Sequence, residues 1–137
     1  PSMGRIVSLP WQCYHVFYRI GSNSRRRDKE DFSRVYADCV ENADLVGEIV
    51  EREYPALEGT AFRFGVFQRL EYLLHIPISQ MNGGNRVYLG IVAYMRRNWL
   101  RAMKNPVLTG KNKLYHTLFA ISPRGIRRLH AKWRLRE

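Results

Sequence analysis

Helix-stopping residues recur along this chain, at Pro55, Pro77, Asn82-Gly83-Gly84-Asn85, Asn105-Pro106 and Ser122-Pro123. They cut its apolar pattern into pieces too short and too unequal for one long coiled coil. Between the breaks, apolar residues return every three or four positions, the period of an amphipathic helix. The chain is therefore expected to be mainly α, an irregular orthogonal bundle of about five helices preceded by a short extended segment. Its 137 residues suit a single core, and 45% apolar content sets it apart from disordered sequences.

The extended segment is read over residues 5 to 20, where β-branched and aromatic residues surround Pro10, with Gly21-Ser22-Asn23-Ser24 as a turn. Asp28 stands where a helix cap would, and a first helix is predicted from about Lys29 to Tyr54, with Phe32, Val35, Tyr36, Cys39, Ala43, Val46, Ile49 and Val50 facing inward. A second runs from Pro55 to the residue before Pro77 on Leu57, Ala61, Phe64, Phe67, Leu70, Leu73 and Leu74. A third, from Val87 to about Lys104, uses Ile91, Tyr94, Met95, Asn98, Trp99 and Met103. Thr109 caps a fourth whose apolar side is Leu114, Leu118 and Ile121. Ser122-Pro123 opens a fifth, amphipathic and basic, with Ile126, Leu129, His130 and Trp133 on one side.

Charge is divided unevenly along this pattern. Residues 1 to 95 balance eleven basic residues with eleven acidic ones, whereas residues 96 to 137 set twelve basic residues against Glu137 alone. The whole excess of +11 lies in the last third. A field so concentrated attracts anions: phosphates of nucleic acid, acidic lipid headgroups, or an acidic face of the same parent protein. Arg96, Arg97, Arg101, Arg124, Arg127, Arg128, Lys132, Trp133 and Arg134 are the candidate membrane- or anion-binding residues. Cations interleaved with Trp99, Tyr115 and Trp133 suit a single-stranded nucleic acid or a helix lying on a membrane. The same aromatics also suit a plain helical core with a solvated basic face.

Catalytic chemistry finds little here. The pairs Asp28/Glu30 and Glu51/Glu53 are two residues apart, which on a helix points their carboxylates different ways. His15, His75, His116 and His130 are scattered without metal-ligand spacing, and the glycines form no phosphate-binding loop. No catalytic or metal-holding residue is assigned. No apolar run approaches the length of a membrane span, and Cys13 and Cys39, without paired spacing, point to free thiols in a reducing cytoplasm.

Two stretches carry a family resemblance. Tyr14-His15-Val16-Phe17-Tyr18-Arg19-Ile20-Gly21-Ser22-Asn23-Ser24 resembles the Tyr-, Arg- and Ser-bearing element that closes the catalytic domain of many family 2 glycosyltransferases. Met95-Arg96-Arg97-Asn98-Trp99, Lys104-Asn105-Pro106, Lys111-Asn112-Lys113-Leu114 and Leu118-Phe119-Ala120-Ile121-Ser122-Pro123-Arg124 together resemble the helical C-terminal extension of such enzymes. The resemblance implies that residues 1–27 end a GT-A catalytic domain and that residues 28–137 form a helical accessory domain. It places Tyr18, Arg19, Ser22 and Ser24 at the edge of the substrate site, Arg19 offering an oxyanion its planar fork or pairing with an acid. It further implies a nucleotide-sugar donor and a divalent metal held by an Asp-x-Asp element upstream. This piece is then expected to be inactive alone and to hold no cofactor itself. Its expected partners are the catalytic domain of the same chain and the acidic inner face of a bacterial cell membrane, with nucleic acid as the alternative.

Overall fold

Asn85 and Thr109 mark two helix starts with the same device. The Asn85 side chain accepts the Tyr88 N–H at 3.0 Å and the Thr109 hydroxyl accepts the Asn112 N–H at 3.3 Å, each satisfying a donor the first helical turn leaves over. A computed structural model describes residue 32 and residues 34–134, the last two by their main chain alone. Over these the protein is a mainly helical bundle of six helices. They are α1 (Val35–Glu53), α2 (Glu58–His75), α3 (Arg86–Arg97), α4 (Trp99–Lys104), α5 (Gly110–Ile121) and α6 (Pro123–Arg134), with short 3-10 turns at Pro55–Leu57 and Ile78–Gln80.

The expected third helix is two. Asn98 leaves the helical track at φ −96° and ψ 13°, and its side-chain amide donates to the Tyr94 carbonyl at 3.1 Å, so the chain turns between α3 and α4. α1 begins at Val35, with Phe32 and Arg34 outside it. The extended segment, the turn at residues 21–24, the Asp28 cap and the proposed unit 1–27 lie outside the described residues.

α1 and α2 pack antiparallel. The Tyr36 ring stacks on His75 and, further along α1, Asp44 meets Arg69 earlier on α2. α2 is the central helix, burying Phe62, Val66, Leu70 and Leu73. Around it gather Ile91 and Met95 of α3, Ala102 of α4, Phe119 of α5, and Ile76 and Met81 of the α2–α3 connection. Three inward faces differ from those the sequence suggests. On α2, Phe64 and Phe67 point outward, since Phe62, Val66 and Arg69 hold the opposite side. On α5, the buried residues are His116 and Phe119, while Leu114 and Ile121 are exposed. On α1, Val46 and Ile49 are exposed, leaving Val40 and Ala43 as its buried contacts.

Asn105 fixes the link between α4 and α5. Its side-chain Oδ1 accepts the N–H groups of Val107 and Leu108 at 2.8 and 2.9 Å, and its side-chain Nδ2 donates to the Gly59 carbonyl at 3.1 Å. A break read from Asn105-Pro106 is thus also a tether to the start of α2.

Candidate anion-binding face

The last carboxylate before Glu137 is Glu71, so α3, α4, α5 and α6 contain none. α1 is the reverse, with Asp38, Glu41, Asp44, Glu48, Glu51 and Glu53 against Arg52. The described molecule is therefore acidic on one helix and basic across four.

Three of the expected anion-binding arginines also brace the fold. Arg127 on α6 donates Nε–H to the carbonyl of Ile76, the C-cap of α2, at 2.9 Å. Arg124 does the same to Met81 at 2.6 Å. A cation at a helix C-terminus answers both the leftover carbonyl and the negative end of the helix dipole. Arg96 at the end of α3 donates Nε–H to Ala120 on α5 at 2.9 Å. Arg101 is turned elsewhere, paired at 2.6 Å with Glu58 and lying 4.5 Å from the Phe62 ring centre. Arg97, Arg128 and Lys132 are exposed. Trp133 and Arg134 belong to α6 by main chain, and Tyr18, Arg19, Ser22 and Ser24 lie outside the described residues.

The depression beside Arg96 was not anticipated. Arg96, Trp99, Thr117, Ala120 and Ile121 line a shallow hollow of about 350 Å³. Its aromatic wall is held in place, because the Trp99 indole N–H donates to the Thr117 hydroxyl at 3.0 Å and that hydroxyl donates to the Lys113 carbonyl at 3.0 Å. Trp99 and Thr117 are eighteen residues apart, and only the folded packing of α4 on α5 brings them together.

A second groove, of about 370 Å³, runs between α1 and α2 below α3 and α4. Asp44, Glu48, Glu51, Glu58, Arg69 and Arg101 line it. Arg69 is 5% exposed, directs Nη2 at both Asp44 oxygens at 2.6 and 2.8 Å, gives Nη1 to the Gly65 carbonyl, and lies 3.6 Å from the centre of the Tyr94 ring. Burial pushes the Tyr94 hydroxyl above its ordinary range, opposed by the positive charges of Arg69 and Arg101. Opposite charges answer each other inside this groove, as in a structural ion-pair network. Among the described residues no three His, Cys, Asp or Glu side chains are placed to hold a metal ion.

Comparison with protein-family models, curated proteins and solved structures finds no match. Among the described residues no helix is long and apolar enough to cross a membrane.

Proposed function

We propose that this chain is the non-catalytic C-terminal accessory region of a family 2 glycosyltransferase, and that its basic helices hold the enzyme against an acidic membrane surface. In the intact protein a nucleotide-sugar-dependent catalytic domain precedes it and builds a cell-envelope or capsule polysaccharide. The observation that supports the membrane role is the separation of charge, with every carboxylate of the described residues on α1 or α2 and four helices free of them. Juxtamembrane cations gain about 1 kcal/mol each near an anionic leaflet, so several acting together suffice for reversible docking.

The full chain should float with vesicles containing phosphatidylglycerol and stay behind with vesicles of phosphatidylcholine alone. Equal recovery with both, or none with either, overturns the membrane role. Retention of unrelated DNA and RNA in a gel shift, weakening steeply with salt while anionic vesicles recover nothing, replaces it with nucleic-acid binding. The glycosyltransferase assignment is tested separately, by reading the gene upstream of Gly4 for an α/β nucleotide-binding domain.

A further inference from the structure

α5 is apolar on two opposite sides. His116 and Phe119 take the inner one and are fully buried. Half a turn away, Leu114, Thr117, Leu118 and Ile121 recur at the i, i+3, i+4, i+7 spacing of a single stripe. The bundle leaves the two ends of this second stripe open, with Ile121 72% and Leu114 57% exposed, and Thr117 and Leu118 half-buried between them. Trp99 of α4, 39% exposed, extends it across the hollow that Arg96 closes on one side.

We infer that this stripe, with Trp99, is the part of the molecule that enters the headgroup region of an anionic bilayer, resting on the membrane role proposed above. Charge selects that occupant. Lys111 stands at i−3 from Leu114 on the same side of α5. Arg96 is fixed beside the Trp99 ring by its bond to Ala120, and it spends only Nε on that bond. With no carboxylate on α3, α4, α5 or α6, a second copy presenting the same face would meet like charge, whereas anionic headgroups complement it. An indole whose N–H is bonded and whose ring is open suits the boundary between water and acyl chains. α5, twelve residues long, is too short to span a bilayer, so its contact is with the headgroup region.

A rival apolar patch shows by contrast what the α5 stripe has. Phe64 and Phe67 are exposed on the outer side of α2 and, with Thr60 and Arg63, line a comparable hollow. Glu71 follows Phe67 by one helical turn on that side, and a carboxylate there is repelled by anionic lipid. Among the described residues, the helices that carry the α5 stripe and Trp99 have no carboxylate.

The experiment measures partition of the full chain onto phosphatidylglycerol-containing vesicles. Three forms are compared: the unmodified protein, the double variant L114E/I121E, and the control F64S/F67S. The expected result is at least a tenfold loss for L114E/I121E and a change of less than twofold for the control. A chain with W11F and W133F, leaving Trp99 as its one indole, should be quenched by brominated acyl chains in vesicles. That reading does not depend on the glutamate variants folding. If the unmodified protein binds while L114E/I121E binds equally, or while Trp99 stays unquenched, the stripe is overturned and the membrane role stands. Loss of binding in the control alone moves the contact to α2 and also overturns it. If the unmodified protein binds no anionic vesicle, the membrane role and this inference fall together.

Discussion

The imidazole of His116 is fully buried on α5, its Nε2 2.9 Å from the Met95 carbonyl and its Nδ1 buried without a partner. A carbonyl only accepts, so Nε2 carries the proton and Nδ1 is bare. Protonation would place a second N–H, and a charge, where nothing receives them. Burial accordingly lowers the His116 pKa from its ordinary value, with the Met95 hydrogen bond opposing. Above the unfolded value of about 6.5 both states are neutral and the full stability is present. As pH falls from there toward the lower folded value, the unfolded chain takes up a proton that the folded chain refuses. Stability then declines by at most about 1.4 kcal/mol per pH unit for this one group, and the loss is complete below the folded value. His116→Gln should flatten that part of the stability profile relative to the unmodified chain, whatever it does to stability at neutral pH. Urea unfolding at a series of pH values between 5 and 8 measures it, and parallel profiles would remove His116 as the cause.

At the scale of elements, connections carry as much information as helices. Asn105 is 8% exposed and makes three hydrogen bonds that bind the α4–α5 loop to the start of α2. Asn105→Ala leaves two loop N–H groups and the Gly59 carbonyl without their partner, at a cost of about 1 to 3 kcal/mol. Thermal unfolding should show that loss, and an unchanged midpoint would mean that water replaces the side chain. The Asn-Pro pair was legible as a stop, because proline cannot continue a helix, but the tether to Gly59, 46 positions away, was not. The cap at Thr109, the break at residues 82–85, the starts of α5 and α6 and the mainly helical class were legible for the same local reasons, whereas Asn85 as the cap of α3 was not. Helix faces were legible only in part, with Ala43, Leu70, Leu73, Ile91 and Met95 buried as expected. On α5 three aliphatics were read as the apolar side and His116 as an ordinary packing or surface residue, and hydrophobicity on two sides gives no basis for choosing between them until the neighbours are placed. Asn98 went unread because an asparagine within an apolar period yields no break until its side chain competes for a main-chain carbonyl. Arg69 is a similar case: glycine four residues earlier makes room for it, but its partner Asp44 lies 25 positions away.

Across the whole molecule, net charge and charge placement make different predictions. A diffuse cation would respond alike to any change of three charges. An oriented one would not, because exposed charges more than a Debye length from the surface, about 8 Å at physiological salt, are largely screened. Arg97, Lys111 and Arg128 are exposed and lie on the helices without carboxylates, whereas Glu41, Glu48 and Glu51 are exposed on acidic α1. Replacing the three cations by glutamine lowers the charge by three, and replacing the three acids by glutamine raises it by three. If α3, α4, α5 and α6 face an anionic bilayer and α1 faces away, the first change should weaken vesicle partition on the order of 100-fold, at about 1 kcal/mol per cation. The second should alter it by less than about threefold, because α1 then lies beyond the screening distance. Partition onto phosphatidylglycerol vesicles at physiological salt decides between the two, with circular dichroism confirming that both variants keep their helices. Equal and opposite shifts would mean that the protein binds by its total charge in no fixed orientation. In that case the catalytic domain it is proposed to carry would not be aimed at the membrane at all.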